Sequence, residues 1–108
     1  MDQSPIPRTN GKYINQYNRQ LVRIIGQVKD ENSIMTTDEC LIRLVKQNPG
    51  PIYNIDTWIE VQGFVNVSDH NIVLQEVKSY PIPINNQLDV HSYNHLIDFM
   101  HKYPDIFH

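Results

Sequence analysis

The first 80 residues contain several short stretches in which apolar and polar side chains alternate. Alternation with a period of two residues is the pattern of a β-strand that has one buried face. In the stretch 39–46, Cys40, Ile42 and Leu44 lie on one face of a strand and Leu41, Arg43 and Val45 on the other, and the charge of Arg43 indicates that the second face is the wetter one. The pattern predicts five strands, which lie at residues 21–28, 33–37, 39–46, 58–65 and 71–77.

Two of the predicted strands contain a glycine, Gly26 in the first and Gly63 in the fourth. Glycine allows a strand to bulge or bend, and such bends let a small sheet close into a barrel. We therefore predict a bulge or bend at Gly26. Five short strands in a chain of this size predict a mainly β fold, the five-stranded oligonucleotide/oligosaccharide-binding (OB) barrel. This fold supports many functions and does not by itself indicate one.

The end of the chain predicts one amphipathic α-helix. Asp89 is placed to cap this helix and Pro104 to end it. At about 100° per residue, the apolar side chains fall in one broad stripe, formed by Val90, Tyr93, Leu96, Ile97, Met100 and Tyr103. The opposite side is polar and is formed by His91, Asn94, His95, Asp98, His101 and Lys102.

Phe99 widens the apolar stripe of this helix beyond the edge that would face the barrel. Two arrangements would bury this additional surface. A helix from a partner could cover it, or the helix could fold wholly against its own barrel and plug one end. The residues alone favour neither arrangement.

Composition divides the chain into three parts. Residues 1–10 contain Pro5 and Pro7 and few apolar side chains, and we predict an extended arm there. Residues 11–85 form the predicted barrel and begin with a short helical turn that would pack on it as a lid. Residues 86–108 form the predicted C-terminal helix and tail.

The charge balance is slightly acidic, with 9 Lys and Arg residues against 12 Asp and Glu residues and a formal net charge of −3. Such a chain lacks the strong positive field of proteins that bind nucleic acid on their own. No stretch contains the roughly 20 apolar residues that span a bilayer, and the start has no apolar signal segment, so we expect an intracellular location. The single cysteine, Cys40, agrees with a reducing compartment.

No motif in the sequence predicts an enzyme, because it contains neither a glycine-rich phosphate loop nor a serine nucleophile motif. Cys40 is expected in the core, since it alternates with apolar residues. The spacing of His91, His95 and Asp98 could present ligands to zinc. A solvated helix face explains these three residues better. We therefore expect no catalytic residue, no bound metal and no cofactor.

Three residues on the predicted strands are candidates for a weak contact with nucleic acid, namely Arg23, Arg43 and Trp58. Arginine binds phosphate, and an aromatic ring provides a surface on which a base can stack. The polar outer face of alternating strands also explains the two arginines. For Trp58 we favour a position in the barrel core at the start of the fourth strand.

Two segments at the ends of the chain match a known pattern. Residues 7–28 contain a Pro-Arg arm, an Asn-Gly pair and a first strand of the form Val-Arg-x-Ile-Gly-x-Val. Residues 88–107 contain a Tyr-Asn pair in the last helix and a closing Tyr-Pro-Asp-Ile-Phe segment. These segments, with the strand at 58–65 between them, resemble the smallest subunit of replication protein A, the eukaryotic heterotrimer that binds single-stranded DNA.

The resemblance implies a non-catalytic, nuclear scaffold subunit of a complex that acts in DNA replication, repair, recombination and telomere maintenance. Its C-terminal helix would join one helix from each of the middle and large subunits in a three-helix bundle, and those partners would make most contacts with DNA. The implied partner-interface residues are Val90, Tyr93, Leu96, Ile97, Met100 and Tyr103. A small subunit of a telomerase-accessory or CST-like telomere complex is an alternative, as is a stand-alone OB module that binds single strands.

Overall fold

The computed structural model describes residues 6–46, 53–69, 71–82 and 90–103 of the chain. Within these residues the β-strands are β1 (Arg8–Thr9), β2 (Leu21–Asp30), β3 (Ser33–Thr36), β4 (Leu41–Lys46), β5 (Trp58–Ser68) and β6 (Asn71–Pro81). A 3-10 helix spans Ile14–Tyr17, and the α-helix α1 spans Val90–Lys102. The predicted cap Asp89 and the predicted stop Pro104 lie outside the described residues.

Strands β2 to β6 form a closed barrel. β2 pairs antiparallel with β3 and with β5, and the pairs β3–β4 and β5–β6 are also antiparallel. The barrel closes through a parallel pairing of β4 with β6, in which Leu44 lies opposite Leu74. This order of strands is that of the OB barrel, so the predicted fold class is confirmed.

The core consists mainly of β-branched side chains, which are stiff and pack well on a pleated surface. Alternate residues of β2 from Val22 to Val28 are buried, as the sequence pattern predicts. Ile14 of the 3-10 helix is fully buried in the same cluster, so the predicted lid packs on the barrel. Cys40 packs against this cluster from its edge. The buried members are Ile14, Val22, Ile24, Val28, Ile34, Ile42, Leu44, Ile59, Val61, Val65 and Leu74.

Gly26 makes room for a neighbouring side chain, and of the two features predicted there, a bulge or a bend, the bulge lies elsewhere in the strand. The irregularity in the β2–β3 pairing lies between Val28 and Asp30. A Cβ added at Gly26 would lie only 2.7 Å from Cδ1 of Ile34. The glycine therefore allows Ile34 to enter the core directly over β2.

Gly63 lies at an irregularity of the barrel, because the β5–β6 register shifts between Gln62 and Gly63. A Cβ added at Gly63 would lie 2.5 Å from the backbone oxygen of Gln75. Here the missing side chain lets two strands approach each other closely.

Trp58 is not in the barrel core, contrary to prediction. Its side chain is half-buried, whereas the next residue, Ile59, is buried in the core. Because side chains alternate across a strand, Trp58 faces outward on the same side of β5 as Glu60. It lies opposite Gln27 of β2.

The end of the predicted N-terminal arm joins the barrel. β1 pairs parallel with β2, and the backbone N–H of Arg23 donates to the oxygen of Pro7 at 2.9 Å. Thr9 and Asn10 are buried. The remaining part of the arm, residues 1–5, lies outside the described residues, and the division into arm, barrel and C-terminal helix stays a prediction.

We expect Gly63→Ala to destabilise the barrel more than Gly26→Ala. The added methyl group at position 63 meets a backbone carbonyl, whereas the one at position 26 meets the side chain of Ile34. Chemical denaturation should show losses of about 3 kcal/mol for Gly63→Ala and about 1 kcal/mol for Gly26→Ala. Adding Ile34→Val, which removes the closest atom, should recover part of the second loss. Equal losses without recovery would contradict this explanation.

Candidate functional site

The side chain of Asn94 attaches α1 to the rest of the chain. Its Oδ1 accepts hydrogen bonds from Asn10 Nδ2 at 3.0 Å and from Thr37 Oγ1 at 2.6 Å, and its Nδ2 donates to the Thr37 oxygen at 3.0 Å. Asn10 and Thr37 are both buried. A buried polar group is costly without a partner, so these three bonds strongly favour one position of the helix.

The next two turns of α1 make further polar contacts with the segment before β2. Tyr13 donates its hydroxyl hydrogen to Asp98 Oδ1 at 2.6 Å, and Lys12 Nζ lies 3.3 Å from the same oxygen. The ring of Tyr13 stacks on His101 with 3.9 Å between centroids. Tyr17 Oη is 3.1 Å from His101 Nε2. We call the side chains of Asn94, Asp98 and His101 the helix clasp.

The hydrogen bond from Tyr13 lowers the pKa of Asp98 below its ordinary value of 3.8, and the ammonium group of Lys12 adds to this effect. Asp98 is therefore ionised at neutral pH. Because its pKa is lower in the folded state, its contribution to stability is present above about pH 4 and is lost as the pH falls through the folded-state value.

The polar side of α1 is therefore not wholly solvated, contrary to prediction. All three residues of the helix clasp contact other parts of the chain. His91 and His95 remain exposed, and their rings meet edge to face at 4.6 Å. Among the residues that the structure describes, no group of His, Cys, Asp and Glu side chains could hold a metal ion.

The part of the predicted apolar stripe next to the helix clasp is buried, and the part farther from it is exposed. Ile97 is fully buried and Tyr93 is largely buried on the docked side. Leu96, Phe99 and Tyr103 remain 43%, 47% and 41% exposed. These three side chains lie within about 60° of one another around the helix axis. We call them the outer helix face.

The remaining two residues of the predicted partner interface, Val90 and Met100, are half-buried. Phe99 was not among the six predicted interface residues, because it lies beyond the edge of their stripe. Its ring packs against Tyr103 with 4.8 Å between centroids. In the sequence, the helix carries more apolar side chains than one small barrel needs, and Phe99 is one of them. This excess indicated the exposed apolar surface.

The hydroxyl of Tyr93 lies in a partly buried polar environment that sequence patterns do not indicate. Its hydroxyl has no hydrogen-bond partner within the described part of the chain, and neither has Gln62 Oε1. Burial raises the pKa of Tyr93 to about 12. Arg8 and Glu60 form an ion pair at 3.7 Å, and both groups act electrostatically on Tyr93.

The structure does not bring the three predicted nucleic-acid residues together. Arg23 and Trp58 share the outer face of the β2–β5 pair, where they lie opposite Gln62 and Gln27. The Nε of Arg23 donates to the oxygen of Ile6 at 3.0 Å, so part of this side chain holds the arm. Arg43 lies on β4, in a different part of the barrel.

The register reveals a row of polar residues around Arg23. Arg8, Arg23, Gln62 and Lys78 lie directly opposite one another across β1, β2, β5 and β6. Neighbouring strands are about 4.8 Å apart, so the three basic groups are spread over the width of four strands. We call these four residues the basic row. The exposed ring of Tyr80 lies on the same face of β6.

The family model of Replication factor A protein 3 matches residues 1–107 of the chain. The chain belongs to the Replication factor A protein 3 family. This is the family of the small replication protein A subunit, so the resemblance seen in the two terminal segments is confirmed.

Two solved structures show the same fold as this family member. A chain of "Structure of U. maydis Replication protein A bound to ssDNA" has 23% sequence identity and a TM-score of 0.75, with 98% of each chain covered. A chain of "Yeast RPA bound to ssDNA" has 18% identity and a TM-score of 0.71, with 98% of this chain and 100% of that chain covered. No curated protein sequence matches the chain.

In this member of the Replication factor A protein 3 family, we also considered Cys40 as a reactive thiol and the helices as membrane spans. Burial raises the pKa of the Cys40 thiol, and the carboxylate of Asp38 adds to this effect. Cys40 is therefore a poor nucleophile at neutral pH. In the described ranges, no helix is both long enough and apolar enough to cross a membrane.

We expect Asn94→Ala to loosen α1 from the barrel, because the substitution leaves Asn10 and Thr37 without their partner. Chemical denaturation should show a loss of about 2 kcal/mol, with faster hydrogen exchange in α1. The matched control is His95→Ala, which changes the exposed neighbour and should stay within about 0.5 kcal/mol of the unsubstituted chain. Similar losses in both variants would show that Asn94 does not hold the helix.

Proposed function

We propose that this chain is the non-catalytic scaffold subunit of a replication-protein-A-type heterotrimer that binds single-stranded DNA. Its membership of the Replication factor A protein 3 family supports this role. Structures that share its fold come from replication protein A of U. maydis and of yeast, each bound to single-stranded DNA. The chain acts by joining the complex through α1, and its partners make most contacts with the DNA.

The observation that carries the proposal is the outer helix face. Leu96, Phe99 and Tyr103 each leave more than two-fifths of their surface exposed on a helix whose other side is fixed by the helix clasp. Three large apolar side chains at the spacing i, i+3 and i+7 form the kind of ridge that packs between the side chains of another helix. A partner helix would therefore bury a surface that is already in place.

The partners in this proposal are one helix from the middle subunit and one from the large subunit, which together with α1 form a three-helix bundle. Leu96 and Tyr103, with Phe99 added, make the main contacts. Met100 lies at the border of this surface. Ile97 and Tyr93 instead support α1 from the barrel side.

The complex acts in the nucleus, in DNA replication, repair, recombination and telomere maintenance. The same outer helix face would serve a telomerase-accessory or CST-like telomere complex, since the chemistry of helix packing is common to these assemblies. The identity of the middle subunit that the chain retains distinguishes the two possibilities.

Substitution of the outer helix face tests the proposal. Leu96→Glu/Phe99→Glu should abolish co-purification with the middle subunit, because two carboxylates would be buried in an apolar contact. His91→Glu/His95→Glu adds the same number of carboxylates to exposed positions of α1 and should leave assembly intact. Circular dichroism checks that both variants fold. Normal assembly of the first variant, or loss of assembly in both, would contradict the proposal.

The basic row favours a second, weaker role as a direct contact for single-stranded DNA. Lys78 is exposed beside Tyr80, and the pair offers a cation for phosphate and a ring for a base. Arg23 adds a second positive charge to the row, whereas the charge of Arg8 is balanced by Glu60. A stand-alone module of this kind would bind DNA without its partners.

Titration of labelled single-stranded DNA into the isolated chain tests this second role. Lys78→Glu should weaken binding and lower the slope of log affinity against log salt by about 1. Lys102→Glu makes the same charge change at an exposed position of α1, away from the basic row, and should have a smaller effect. Equal effects of the two substitutions would exclude the basic row as a site.

A further inference from the structure

A groove of about 930 Å³ opens on the side of the barrel that contains β3, β4 and the start of β6. Its rim includes Glu31 and Asn32 from the β2–β3 turn, and Ser68 and Asn71 from the two ends of the β5–β6 turn. In OB barrels this combination of two strands and two turns is the usual place for an oligonucleotide. The groove is separate from both the outer helix face and the basic row.

The charges of the groove oppose an oligonucleotide. Asp30 and Glu31 line it, Asp69 follows its rim, and Arg43 is the one cation among its described lining residues. Hydrogen bonds from the backbone N–H of Asn32 and from the side chain of Ser33 lower the pKa of Asp30, and the charge of Arg43 adds to this effect. The carboxylate of Asp30 is therefore held ionised, and together with Glu31 it outnumbers the single cation Arg43.

The groove also lacks the means to stack a base, because its described lining contains no aromatic side chain. Its apolar surface is aliphatic. Leu41 is 59% exposed, and Ile72 and Val73 are half-buried beside it. The groove therefore combines an aliphatic patch with carboxylates at one end, which suits a branched apolar side chain next to an ammonium or guanidinium group.

We propose that this groove docks an extended, basic polypeptide segment in which Lys or Arg residues flank a branched apolar side chain. Glu31 and Asp30 receive the basic side chains, and Leu41 packs against the apolar one. The side-chain amide of Asn71 lines the groove and can bond the peptide backbone. Charge complementarity between the groove and the segment supports this docking, which is independent of the role of the outer helix face.

Fluorescence anisotropy with three probes tests the proposal on the full chain at physiological ionic strength. The probes are a labelled peptide of alternating Lys and Leu, its counterpart of alternating Glu and Leu, and an oligo-dT. We expect the basic peptide to bind with one-to-one stoichiometry and the other two probes not to bind at the groove. Backbone NMR shifts on addition of the peptide should be confined to residues 30–33, 41–43 and 71–73.

Two matched charge-reversal variants distinguish binding in the groove from nonspecific electrostatic attraction to the chain. Glu31→Lys should lower the affinity for the basic peptide about tenfold, because it replaces an attraction by a repulsion. Asp56→Lys makes the same change in net charge at an exposed position outside the groove and should change affinity less than about twofold.

Failure of the basic peptide to bind would overturn the proposal, and so would an equal loss of its affinity in both charge-reversal variants. NMR shift changes outside the groove, or binding of oligo-dT that Glu31→Lys strengthens, would also overturn it. Leu96→Glu/Phe99→Glu should leave peptide binding unchanged, so this test and the test of assembly fail independently.

Discussion

The amide of Asn94 decides how the C-terminal helix lies on the barrel. Its two polar atoms make three hydrogen bonds to Asn10 and Thr37, which belong to different parts of the chain and are both buried. A rotation of the helix about its axis would break these bonds together and leave buried groups without partners. The position of Asn94 therefore also determines which apolar side chains of α1 face solvent, and Leu96 and Phe99 are the main ones.

Alternation of apolar and polar residues was enough to predict the five barrel strands, because burial of one strand face leaves a period of two in the sequence. The orientation of α1 was not predictable in this way. Hydrophobic periodicity treats Asn94, Asp98 and His101 as solvated polar residues, although each has a partner from a segment about 60 to 90 residues earlier in the chain. Such long-range polar pairs leave no periodic signal in a single sequence.

The positions of the candidate site residues were likewise not predictable from periodicity. Trp58 was expected in the core because it is large and apolar, but the alternation along β5 places it outside, beside Glu60. Arg23 and Arg43 are equivalent as basic strand residues in the sequence. The barrel separates them, placing Arg23 in the basic row and Arg43 in the lining of the groove that also contains Asp30. Only the strand order and register make this difference visible, and they produce surfaces of distinct chemistry on one small domain.

We propose that the helix clasp holds α1 with Ile97 inward and Leu96 outward, where a partner helix can cover Leu96. Methyl NMR with a soluble paramagnetic agent measures this directly. In the isolated chain, the Leu96 methyl signals should broaden strongly and the Ile97 signals should not. Addition of the middle subunit should then protect Leu96 and leave Ile97 unchanged. Protection of Leu96 in the isolated chain, or its continued exposure in the complex, would contradict the account.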